Sequence, residues 1–70
     1  MTVTIKQAKG NGYYVEISQD KYNSGYKVAS YPLYDDDICG YALTTNYYGD
    51  IKSANKQFNR LKRRYEICMQ

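Results

Sequence analysis

The sequence predicts a two-layer α+β domain: a four-stranded antiparallel β-meander closed on one face by a C-terminal amphipathic helix, ββββα. Three observations carry that prediction. The chain has 70 residues, the size of one small domain covering positions 1–70. Its first two thirds alternate short runs rich in Val, Ile, Thr and Tyr with Gly, Asn, Asp and Pro, as consecutive strands and turns do. Its last third contains DIKSANKQFNRLKRRYE, the one long stretch with a helical period.

The first strand is expected over about residues 2–8, where Thr2-Val3-Thr4-Ile5-Lys6 alternates polar and apolar side chains. Lys9-Gly10-Asn11-Gly12 is a tight-turn signal, because glycine and asparagine tolerate positive φ. The return strand of the hairpin follows over about 13–18. Residues 19–25 are polar and carry Asn23-Ser24-Gly25, a loop. A third strand is expected over about 26–31, ended by Pro32, which cannot donate to a ladder. Leu33 to Gly40, with Asp35-Asp36-Asp37 inside it, reads as the longest irregular connection. A fourth strand over about 41–47 leads through Gly49 into the helix, expected over about 50–66.

Alternation assigns two faces to this sheet. Val3, Ile5, Tyr13, Val15, Ile17, Tyr26, Val28, Tyr41 and Leu43 are expected to face the helix. Thr4, Lys6, Tyr14, Glu16, Lys27, Ala29, Tyr31, Ala42 and Thr44 are expected to face away, leaving an open sheet face. On the helix, Ile51, Ala54, Phe58, Leu61, Tyr65 and Cys68 fall within an arc of about 100° at 100° per residue. Asp50 or Gly49 is the expected N-cap, and Lys62-Arg63-Arg64 suits the negative end of the helix dipole.

Composition bounds the function. Ten tyrosines and one phenylalanine supply much of the large apolar area, and tyrosine can bury its ring while its hydroxyl stays wet. Histidine is absent, and Cys39 and Cys68 form no C-x-x-C pair, so neither a zinc site nor histidine acid–base chemistry is expected. Free buried thiols suit a reducing compartment, with a Cys39–Cys68 disulfide as the alternative. The acidic triplet lacks the spaced ligands and sixth-position glycine of a calcium loop. With no phosphate loop, dinucleotide fingerprint or nucleophile elbow, the expectation is a protein that is not an enzyme and has no cofactor. The start MTVTIKQ lacks a basic, then hydrophobic leader, and no apolar run reaches membrane-spanning length, so a cytoplasmic location is expected.

Charge is unevenly spread within a net +3: residues 1–50 carry −2 and residues 51–70 carry +5. Each charged cluster has two readings. Lys52, Lys56, Arg60, Arg63 and Arg64 lie opposite the apolar stripe, as a solvated face or as a contact for phosphates or an acidic partner. Asp35, Asp36 and Asp37 are a solvated, turn-capping loop, or an anionic prong flanked by Tyr34 and Ile38 that fits a Lys/Arg-lined groove. Tyrosine beside charge is a common interface composition, which adds Tyr31 to the candidate contacts. On the open face, Tyr14 and Tyr31 with Lys6 and Lys27 suit either cross-strand pairing or stacking of single-stranded bases.

In outline the chain resembles the small inhibitor proteins of phages and mobile elements, in particular those of the anti-CRISPR type. The shared features are a start directly in a strand, a β-meander closed by one helix (Asp50 to Glu66), many tyrosines, the acidic loop Asp35-Asp36-Asp37, and no catalytic kit. Many such inhibitors resemble acidic nucleic-acid mimics, and the net charge of +3 departs from that pattern. The resemblance implies steric blockade of a CRISPR effector by protein–protein contact, in the host cytoplasm if phage-encoded. The alternatives from the residues alone are a DNA- or RNA-binding module using the basic helix face, and a structural domain, monomeric or weakly dimeric through its sheet edge.

Overall fold

The computed structural model describes residues 2–20, 25–38 and 40–67, without the side chains of Thr2 and Asp20. Cys39 and Cys68, and with them the thiol and disulfide readings, lie outside the described residues. So do residues 21–24 of the expected loop. The element order is β1 (Thr2–Gly10), β2 (Tyr13–Asp20), β3 (Tyr26–Tyr34), β4 (Asp37–Ile38), β5 (Thr44–Tyr48) and α1 (Ile51–Arg64). All strand pairs are antiparallel. β1, β2 and β3 are successive neighbours, and β3 is flanked on its far side by β5 along its first half and by β4 at its end. The α+β architecture is the expected one, with the short β4 added.

Asn11 and Gly12 form a two-residue turn, both at positive φ, between the paired residues Gly10 and Tyr13. That is the mirror-image turn whose twist matches the flanking strands. Its register sets Val15 and Ile17 on the helix side, where Val28, Ala54, Phe58, Leu61 and Ile67 complete the buried core. Val28 pairs with Ile17 across β2–β3, so both present the same face.

Strand β1 does not keep the expected alternation. Its register shifts between Thr4, opposite Ser18, and Lys6, opposite Ile17, leaving Ile5 as the extra residue of a β-bulge. One inserted residue reverses every later side chain. Lys6 and Ala8 therefore turn to the helix side, while Val3 (58% exposed) and Ile5 (45%) lie outside the core. Lys6 suits its new place: its Nζ sits 5.1 Å from the Phe58 ring centroid and bonds Asn55 Oδ1 at 3.3 Å. The bulge and inward lysine also blunt β1 as a pairing edge.

Pro32 does not end β3, which runs on to Tyr34. Leu33 N–H donates to Gly12 O at 2.8 Å, so the alternating Pro32 nitrogen faces the opposite side. There β5 pairing stops at Ser30 and β4 pairing begins at Leu33. The missing donor falls in that gap and costs no ladder bond. The fourth expected strand starts later, at Thr44 rather than Tyr41, since the β3 edge beyond Ser30 is taken by β4. Tyr41 (94% exposed) and Leu43 are outside the core as a result. Thr44 pairs with Ser30 and turns to the helix side, where Ser30 Oγ meets Thr44 Oγ1 at 2.7 Å and the Tyr65 hydroxyl at 3.0 Å. Ala42 precedes the strand. Ala29 does lie on the outward face, yet is buried between its cross-strand neighbours Glu16 and Thr45.

Helix α1 is capped at both ends. Asp50 accepts from Ser53 N–H at 3.0 Å, and this bond holds its carboxyl below its ordinary range. The helix stops at Arg64, two residues before the expected end. Glu66 adopts a left-handed φ of 55°, while Glu66 N–H donates to Arg63 O and Ile67 N–H to Lys62 O. This is a Schellman motif, and it drops Ile67 into the core. Ile51 is more exposed than the stripe predicted, and Lys62 is buried, its Nζ 5.5 Å from the Phe58 centroid. Asn11 donates its side-chain amide to Tyr65 O and Glu66 O, and Tyr13 stacks on Tyr65 at 4.2 Å between centroids. The first hairpin turn is thereby fastened to the end of the helix. Among the described residues no helix is long and apolar enough to cross a membrane.

Candidate partner-binding surfaces

The acidic segment is a hairpin tip. Tyr34 pairs with Asp37 and Leu33 with Ile38, so Asp35 and Asp36 are the two turn residues, with φ of 53° and 66°. Two consecutive left-handed residues define the same mirror-image turn as Asn11-Gly12. The expected irregular connection is thus a tight turn that fixes the backbone under three carboxylates. Tyr34 (73% exposed) and Ile38 (51%) flank it. Asp35, Asp36 and Asp37 make no ion pair with a described residue.

Tyr31 stands apart from this tip. It is half-buried on the outward sheet face, its ring 6.2 Å from that of its cross-strand neighbour Tyr14 and tilted by 38°. The Tyr14 hydroxyl lies 2.8 Å from Gln7 Oε1 and 3.0 Å from Glu16 Oε1, so one proton is shared between two acceptors. Burial first, then the hydrogen bond and charge of Glu16, push the Tyr14 phenol up to about 12. These contacts hold the two rings in the sheet, the cross-strand pairing reading. Lys6, which the stacking platform required, is on the other face.

Between the end of the first hairpin and the acidic hairpin lies a groove of about 500 Å³. Lys9 and Tyr14 line it on one side and Leu33, Asp36, Asp37 and Ile38 on the other. Leu33 and Lys9 were not singled out from the sequence. The Leu33 N–H to Gly12 O bond brings the two hairpins together, and only strand register reveals that.

The basic residues occupy a third surface. Lys52, Lys56, Arg60, Arg63 and Arg64 are all exposed on α1. At 100° per residue they span an arc of about 120°, opposite Phe58 and Leu61, and a length of about 18 Å. None has a side-chain hydrogen bond or ion pair with a described residue. The structure keeps this stripe apart from the acidic tip, since α1 packs on the β2–β3–β5 face and the tip projects beyond that ladder. Compared with protein-family models, with curated proteins and with solved structures, the chain matches none.

Proposed function

We propose that this protein is a non-enzymatic inhibitor that blocks a nucleic-acid-processing complex of the CRISPR-effector kind by protein–protein contact, with the acidic hairpin as its contact element. One observation carries the reading: Asp35 and Asp36 form a two-residue turn that presents three carboxylates between exposed Tyr34 and Ile38. A preformed tip binds without the ordering cost of a loop. Carboxylates beside an aromatic anchor complement a cationic channel built for phosphates. Tyr31 extends the same strand towards the sheet face. The test is target cleavage by purified RNA-guided effector complexes, with the wild-type protein and with the D35N/D36N/D37N variant. Asparagine tolerates left-handed φ, so the variant keeps the turn and loses three charges. Inhibition by the wild type and its loss in the variant, at unchanged thermal stability, is the expected result. An inhibitor that survives the substitution undiminished removes the hairpin from the mechanism.

The exposed basic stripe on α1, without an ion pair among the described residues, favours a second reading, direct binding to DNA or RNA. It predicts oligonucleotide affinity that falls with salt, the logarithmic slope being about −0.9 per neutralised phosphate on a duplex. Replacing Arg60 or Arg63 by alanine then lowers the slope by about one each. Lack of any binding to duplex or single strand at 50 mM salt rules it out.

A further inference from the structure

We infer that the groove between the two hairpins receives an arginine or lysine side chain from an extended segment of a protein partner. This rests on the protein–protein reading above and supplies the chemistry of the partner. The groove combines two demands that few ligands meet together. Leu33, Ile38 and the ring of Tyr14 offer apolar surface, whereas Asp36 and Asp37 hold two carboxylates at its edge. Among the described residues Lys9 is the lone cation lining it, and neither carboxylate is ion-paired to it or to another described residue. The local charge is therefore negative, and a phosphate or carboxylate ligand is repelled.

A bare metal ion does not fit either. Among the described residues no three acidic or sulfur side chains converge on one point, and Leu33 and Ile38 supply no oxygen ligands. A cation on an aliphatic stem satisfies both halves: the methylenes lie on Leu33 and Ile38, and the head meets the carboxylates. Arginine fits better than lysine, because its planar fork can bond both carboxylates while stacking on the Tyr14 ring. The volume, about 500 Å³, is within the range of about 300–1,000 Å³ seen for small-ligand sites. It holds one long side chain with its backbone passing over the mouth. The Asp35-Asp36 turn and the Tyr14 hydroxyl contacts fix both sides in advance.

The test is a backbone-amide NMR titration of the intact protein with the blocked tripeptide Ala-Arg-Ala, and with its norleucine and glutamate counterparts. The arginine peptide is expected to shift the Lys9, Leu33, Asp37 and Ile38 amides, saturating at concentrations on the order of millimolar. Norleucine and glutamate peptides bind at least about tenfold more weakly, as does arginine to the D36N/D37N variant, since a charge-assisted pair is lost. Ile38→Ser weakens the arginine peptide with all charges intact. Equal shifts from norleucine or from guanidinium chloride at matched ionic strength, or shifts confined to residues outside the groove, overturn the inference. The two readings fail separately. Saturable arginine binding with no effector inhibited sinks the inhibitor role alone. Inhibition that D35N/D36N/D37N abolishes but Ile38→Ser spares, without arginine binding, sinks the groove alone.

Discussion

Asn11 serves two structures at once, and its replacement separates them. It occupies the first left-handed position of the β1–β2 turn, and its amide donates to Tyr65 O and Glu66 O just past the end of α1. Glycine at this position keeps the turn but removes both bonds. An exposed bond of this type contributes about 0.5–1 kcal/mol net, so Asn11→Gly is expected to cost about 1–2 kcal/mol. Aspartate has nearly the same shape and also tolerates positive φ. It replaces the donor by a carboxylate facing two carbonyl oxygens, at the end of a helix where negative charge is unfavourable by about 0.3–1 kcal/mol. Asn11→Asp is therefore expected to cost about 1.3–3 kcal/mol, more than Asn11→Gly by the charge contribution. For a domain of this size each kcal/mol lowers Tm by about 4–8 °C. Thermal unfolding followed by circular dichroism at pH 7 should order the proteins wild type, then Asn11→Gly, then Asn11→Asp. The gap between the variants should narrow in 1 M salt, where screening is nearly complete. If both melt within about 2 °C of the wild type, the clamp contributes nothing. If the order of the two variants reverses, the electrostatic part of the reasoning is wrong.

Phe58 is almost wholly buried, with an ammonium from Lys6 and another from Lys62 over its ring. Phe58→Ala should cost about 3–5 kcal/mol, roughly half of the about 4–10 kcal/mol expected for a chain this long, so denaturant titration should find its midpoint lowered by roughly half. Glu66→Gly relieves the left-handed strain and should gain about 0.5–1 kcal/mol, read as a higher urea midpoint at unchanged slope. Ser18 Oγ is buried without a hydrogen-bond partner among the described residues; Ser18→Ala should stabilise by roughly 1 kcal/mol in the same titration. Tyr14 loses its proton later in the folded state, near pH 12, than in the unfolded chain, near 10.0. Its contribution is thus complete below pH 10 and lost as pH rises towards 12. Phenolate absorbance should show Tyr14 ionising late, near pH 12, and Tyr14→Phe should remove that contribution.

The hairpin tip was legible as composition but not as shape. Tyr34, three aspartates and Ile38 stand out in the sequence as an anionic, aromatic-flanked cluster. Aspartate is not the residue that marks a left-handed turn most strongly, so nothing local distinguished a tight hairpin from a loop. The groove was invisible, because Lys9 and Leu33 are brought together through β2 and the Gly12–Leu33 bond. Strand register is a property of pairs, and a single strand does not carry it.

The sequence by itself determined the helix stripe of Ala54, Phe58 and Leu61, an N-cap at Gly49 or Asp50, the Asn11-Gly12 turn and the core positions Val15, Ile17 and Val28. These follow from local rules: a helical or two-residue period, a side chain that bonds its own backbone, a residue that accepts positive φ. Tertiary structure alone decided where the periods break. The extra residue at Ile5 reversed the faces of β1, a gap between ladders let Pro32 sit inside a strand, and Glu66 turned left-handed. Each break persists because distant structure accommodates it: Phe58 under Lys6, an empty ladder position beside Pro32, and the core waiting for Ile67.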